Sequence, residues 1–128
     1  MIQHNSAPVY RQRLNKTFTT AFNGLRYFFK TERNGKIQAG VAGFILLAGF
    51  YLHLSSTEWI FIFLCITAVI SLEIMNSAIE HLCNHVQNDY HASIKIIKDV
   101  AAGAVLFASI ISAIIGFIIF IPKILQLL

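Results

Sequence analysis

Glu73, Asn76 and Glu80 stand in a run of residues that is otherwise apolar and long enough to cross a bilayer. At about 100° per residue, Glu73, Asn76, Ser77, Glu80 and Asn84 fall within an arc of about 100° on one helix. An ionised carboxylate inside a membrane helix is costly unless it is paired, hydrated or bound to a metal. Two on one face point to a cation and a polar substrate meeting at the membrane edge.

The rest of the chain fits a membrane setting. Of 128 residues, 56% are hydrophobic and 12% charged, with a mean hydropathy of +0.66. A soluble domain carries about a quarter charged residues. Three stretches, 37–54, 59–79 and 100–121, each approach the ~20 residues that cross a bilayer as a helix. The middle one qualifies only if Glu73 is tolerated near its end. The first 36 residues are polar and basic, with no apolar core of a cleavable signal. The spacing predicts one all-α membrane domain over 1–128, without repeats or linkers.

Charge sets the expected orientation. Seven of the ten Lys and Arg precede residue 37, namely Arg11, Arg13, Lys16, Arg26, Lys30, Arg33 and Lys36. Lys95 and Lys98 lie between the second and third stretches, and only Lys123 lies beyond the third. Basic loops stay inside, so the N-terminus and 80–99 are expected in the cytoplasm, with Ser55–Glu58 and the C-terminus outside. Trp59 and Tyr51 fit interfacial anchors at the outer end. Gly40, Gly43, Gly49 and Gly103 are expected where helices pack closely.

The basic N-terminus is itself patterned. Leu14, Phe18, Phe22, Leu25 and Phe29 share one helical face, with Lys16, Asn23, Arg26 and Lys30 on the other. That is the pattern of a helix lying in the membrane interface; a soluble amphipathic helix or a generic anionic-lipid anchor would read alike. Nucleic acid is not an expected partner of so apolar a chain. After the second stretch, His91, Lys95, Lys98 and Ala102 share a face, and lysines suit phosphate oxygens. With the upstream carboxylates they form a minimal kit for a nucleotide and a divalent ion, although flanking lysines alone would look the same. No Walker loop or Gly-rich kinase loop is present. Cys65 and Cys83 form no recognisable motif. His81 and His85 are spaced to share a zinc ion, but no other convincing ligand accompanies them, so no transition-metal site is expected.

Several motifs together resemble the bacterial diacylglycerol kinase and undecaprenol kinase family. They are Glu73-x-x-Asn76-Ser77-Ala78-Ile79-Glu80, Tyr90-His91, Lys98-Asp99 with the following Ala-Gly-Ala-Val-Leu, Ala21-Phe22-Asn23-Gly24-Leu25-Arg26, and Thr31-Glu32-Arg33-Asn34. They occur in order and cover residues 13 to 121. The resemblance implies an N-terminal amphipathic surface helix followed by three transmembrane helices. It also implies a homotrimeric bundle in the bacterial cytoplasmic membrane, with active sites at subunit boundaries near the cytoplasmic face. The implied reaction is phosphorylation of a membrane lipid alcohol by ATP with Mg²⁺.

Residue roles follow from the same resemblance. Glu73 matches the general base, and Glu32 and Glu80 match the metal ligands. Arg13, Thr20, Glu32, Asn76, Glu80, Asp89, Tyr90, His91, Lys98 and Asp99 match the nucleotide site. Phe22, Arg26, Phe29, Asn34, Trp59 and Ala102 would flank the lipid. Thr-Glu-Arg-Asn and Val-Ala-Ala-Gly-Ala-Val-Leu resemble the undecaprenol branch, whereas Asn-Ser-Ala-Ile-Glu also occurs in the diacylglycerol branch; the lean is to undecaprenol.

One position departs from the family pattern. Asn84 stands where the family usually has Asp, four residues after Glu80. With His81 and His85 alongside, the turn reads as rebuilt around a neutral residue, the basic partner of the family's Asp having been lost. Readings from other classes remain open at this level. A small transporter or proton-conducting oligomer would use Glu73 and Glu80 but needs neither Lys98-Asp99 nor Glu32. A non-catalytic assembly subunit would account for Asn84 but not for the intact carboxylates.

Overall fold

The computed structural model describes residues 14–86 and 89–128, and among them every regular element is helical. The helices are α1 (Leu14–Thr31), α2 (Arg33–Tyr51), α3 (Ser56–Val86) and α4 (Ala92–Leu127). α3 and α4 are long and apolar enough to cross a membrane. α2 is less apolar, because its first turn is Arg33-Asn34-Gly35-Lys36. The expected stretches 59–79 and 100–121 are the apolar parts of longer helices, whereas 37–54 runs past the end of α2 at Tyr51. At about 1.5 Å per residue, α3 and α4 extend some 45 and 55 Å, so the polar turns at their ends are helical: α3 runs to Val86 and α4 begins at Ala92.

α1 and α2 are nearly one helix, broken at Glu32, whose backbone is extended (φ −81°, ψ 131°). The break makes an elbow. Phe28, on the last turn of α1 and outside the aromatic stripe, is buried there. Gly35 is what admits it: a Cβ at Gly35 would collide with the Phe28 carbonyl. Leu14, Phe18, Phe22 and Leu25 remain exposed along α1 as one apolar face, the arrangement of a helix resting on a membrane surface.

At the other end, α2 turns into α3 through His53, which lies in the left-handed region (φ 53°). Ser55 and Glu58 then cap α3 reciprocally: Ser55 N donates to Glu58 Oε2 (2.8 Å) and Glu58 N to Ser55 Oγ (3.2 Å). Trp59 stacks on Phe63 and packs against Phe50, over Gly49, where a Cβ would come within 2.8 Å of the indole. Of the four glycines expected at close contacts, Gly49 is one. Gly40, Gly43 and Gly103 have open space above them. Lys123 Nζ, one residue after Pro122 inside α4, pairs with Glu58 Oε2 at 3.1 Å and tethers the end of α4 to this turn.

The most extensive packing is α3 against α4. Ile62, Val69, Asn76 and Cys83 are buried at every seventh position of α3, the repeat of helices that wrap along one another. Ile62 meets Leu54 and Ile119 in the small apolar core. A groove of about 510 Å³ runs over α3 between α2 and α4, lined by Gln38, Ile45, Cys65, Val69, Ser112 and Phe120 among others.

Candidate active site

The elbow between α1 and α2 packs against the polar half of α3 and brings two carboxylates into defined settings. Glu73 is 8% exposed and Asn76 6%, the two polar side chains buried among the described residues. Asn34 reaches across from the first turn of α2, its Nδ2 donating to Glu73 Oε2 at 3.5 Å. Asn76 lies one turn further along α3, its Oδ1 buried without a hydrogen-bond partner. A buried acceptor left open in this way is uncommon. The result is a secluded carboxylate held by an amide, beside an acceptor free to take a donor.

Glu32 occupies the N-cap position of α2, yet its side chain does not cap the helix. It extends instead to α3, where His81 Nε2 lies 2.5 Å from Glu32 Oε1. The edge of Tyr27 packs against the His81 ring, with centroids 5.9 Å apart. The His81 hydrogen bond holds the Glu32 carboxyl below the ordinary carboxylate value, with the Ser77 hydroxyl adding to the effect. Glu32 is therefore an ionised, partly exposed oxygen donor at neutral pH.

Glu80 is exposed on α3, and His81, the next residue, meets Glu32 at the elbow. Among the described residues no three His, Cys, Asp or Glu side chains cluster as a metal cage. An ion bridging protein to phosphate usually takes only one or two carboxylates from the protein, so an ionised Glu32 beside an imidazole fits such an ion.

The start of α4 completes the same end of the molecule. Lys95 Nζ pairs with Asp99 Oδ2 one turn on, and Lys98 Nζ donates to Asn84 Oδ1 at 2.5 Å. The basic partner expected to be lost at Asn84 is thus present, and it is Lys98. His91 caps α4, its Nδ1 accepting from Ser93 N. Asp89 and Tyr90 are exposed in the connection.

Other expected residues stand apart. Trp59 is at the far end of α3, about 20 Å of helix from Glu73, because it packs on Phe50 and Phe63. Thr20 is exposed on α1, its hydroxyl donating to its own helix at the Lys16 carbonyl. Phe22 and Arg26 are exposed on α1, Phe29 is half-buried at the elbow, and Ala102 is exposed on α4. Arg13 lies outside the described residues. The sequence reading missed Tyr27 and Phe28, and left His81 unpaired with Glu32. A sequence signal for His81 existed in its angle, about 80° from Glu73 on the α3 projection, at the edge of the polar stripe.

Residues 19–120 match the family model described as prokaryotic diacylglycerol kinase. The chain is 43% identical over 117 residues to the undecaprenol kinase of Bacillus subtilis, covering 89% of this chain and 95% of that protein. It is 35% identical over 113 residues to the diacylglycerol kinase of Synechocystis, covering 88% of this chain and 65% of that protein.

Proposed function

The chain belongs to the prokaryotic diacylglycerol kinase family and is a membrane lipid kinase; we propose that its acceptor is undecaprenol and its phosphoryl donor ATP with Mg²⁺. Identity to the Bacillus undecaprenol kinase extends over nearly all of that protein, and this favours undecaprenol over diacylglycerol. The observation that carries the mechanism is the buried Glu73 with Asn34 on its Oε2.

In this reading Glu73 accepts the proton of the lipid hydroxyl as that oxygen attacks the γ-phosphorus, and the bond from that phosphorus to the bridging oxygen breaks, releasing ADP. Asn34 fixes which carboxylate oxygen is engaged and leaves the other for the substrate. The hydrocarbon part of the lipid lies in the groove between α2 and α4, which begins one helical turn from this pair: Val69 and Gln38 line it, four residues from Glu73 and Asn34. Mg²⁺ neutralises phosphate charge when bound, and Glu32 supplies its carboxylate. Lys98, Asp99 and the open Asn76 Oδ1 face the nucleotide. Phosphoryl transfer asks mainly for positioning and charge neutralisation, which a secluded base beside a rigid elbow supplies.

α2 serves as a third crossing beside α3 and α4, with the elbow, the α3–α4 connection and the N-terminus cytoplasmic in a bacterial inner membrane. The open surfaces over Gly40, Gly43 and Gly103 suit contacts with other copies in a homotrimer. The test is radiolabelled ATP with a panel of lipid alcohols in mixed micelles. Label entering undecaprenol faster than diacylglycerol is expected. Preferential labelling of diacylglycerol would reassign the substrate.

A further inference from the structure

We infer that His81 is a nitrogen ligand of the divalent ion held by Glu32, so that the site is a mixed carboxylate–imidazole site. The inference rests on the reading of Glu32 as a metal ligand and adds a donor that this reading does not contain. Its basis is geometric. His81 Nε2 and Glu32 Oε1 already face one another at 2.5 Å across the gap between the elbow and α3. Two ligands on adjacent corners of an octahedral ion, each about 2.1 Å from it, stand about 3 Å apart. Opening the pair by roughly half an ångström, with the Nε2 proton passing to solvent and the neutral ring keeping its proton on Nδ1, turns the hydrogen bond into two coordination bonds.

Access and support agree with this. The His81 side chain is 56% exposed and that of Glu32 25%, so an ion with its waters and a phosphate can approach without unfolding anything. The Tyr27 ring edge restrains the imidazole, the role outer-shell groups play around metal-bound histidines. Glu32 sits at a backbone break and makes no cap of its own, so its carboxylate is turned to His81 and not to the helix end. Tyr27 and Glu32 come from the elbow and His81 from α3, so the ion would also fasten the surface helix to the bundle. Substituting an imidazole for an oxygen donor moves preference from Mg²⁺ toward Mn²⁺, Co²⁺ and Zn²⁺.

The experiment is pulsed electron paramagnetic resonance of Mn²⁺ bound to the full-length protein in detergent, with a non-hydrolysable ATP analogue. Nitrogen modulation is expected in the wild type, changing pattern when histidine is supplied as ¹⁵N. It should vanish in His81→Gln and persist in His85→Gln, one turn away. Mn²⁺ affinity should fall at least about tenfold in His81→Gln, with a smaller loss for Mg²⁺. Mn²⁺ that fails to bind, binds without nitrogen modulation, or keeps the modulation in His81→Gln overturns the assignment. The isotope experiment needs no variant, so a misfolded His81→Gln does not shield the inference. Lipid phosphorylation is measured with Mg²⁺ on the same preparations. Transfer without nitrogen modulation removes only His81 from the site, whereas absence of transfer to any lipid removes the kinase reading itself.

Discussion

Lys98 Nζ donates to Asn84 Oδ1, linking the second turn of α4 to the last turn of α3 across the short connection. Asn84→Asp would convert this hydrogen bond into an ion pair. It is expected to stabilise the protein by up to about 1 kcal/mol, the range of exposed pairs, and less at high salt. The pH–rate profile should keep its shape, since the new charge is already matched by Lys98. Thermal unfolding of both proteins at two ionic strengths checks this; a lower unfolding temperature would show that Lys98 is engaged elsewhere.

Glu73→Gln is expected to lower the phosphorylation rate by at least about 100-fold, within the usual contribution of a general base, with expression and helix content unchanged. A variant retaining a tenth of the wild-type rate would remove Glu73 from that role.

Asn34→Ala takes one hydrogen bond from Glu73. A loss of about tenfold in kcat is expected, corresponding to roughly 1.4 kcal/mol, with little change in KM for ATP. Because Asn34 acts through Glu73, the double variant Asn34→Ala/Glu73→Gln should be no slower than Glu73→Gln alone. Multiplicative losses would separate the two residues.

Gly35→Ala places a methyl group against the Phe28 carbonyl and should open the elbow, destabilising the protein and loosening α1 from α3. Gly24→Ala, within α1 and with nothing near its Cβ, should be neutral or stabilising by up to about 1 kcal/mol through helix propensity. Proteolysis rates of the two variants in detergent rank them. Equal protection would mean that the Phe28–Gly35 contact does not hold the elbow.

The Lys123–Glu58 pair puts the end of α4 beside the α2–α3 turn, at the opposite end from Glu32 and His81. A cysteine placed after Leu128, in a chain whose Cys65 and Cys83 are replaced, should react with an impermeant thiol reagent on intact cells. A cysteine near residue 90 should react only after lysis. The reverse pattern would invert the proposed orientation.

Much of this architecture was legible in the sequence because it is periodic. The apolar stretches and the stripe carrying Glu73 and Asn76 follow from spacing alone, and the structure buries both residues. The elbow was not legible. It depends on one residue, Glu32, adopting an extended backbone between two helical runs, and glutamate is not a usual cap. The stripe through Phe29 was projected on an unbroken helix and left Phe28 without a role; at the break, Phe28 finds the space that Gly35 leaves. The Glu32–His81 contact joins residues 49 apart in sequence, and no repeat within one helix can reveal it. The motifs that named the chemistry carried local sequence but not the partner each side chain takes.

No side chain among the described residues is fully enclosed, and large apolar groups such as Phe44, Phe107 and Phe117 point outward. This chain therefore borrows its interior from what surrounds it, neighbouring copies in the proposed homotrimer and the amphiphile beyond them. An unfolding temperature measured in one detergent belongs to the protein and that detergent jointly, and changing the tail length is equivalent to repacking a core. Comparisons among variants hold only within a single amphiphile, and reconstitution into bilayers of graded thickness would act on this protein much as core mutations act on a soluble one.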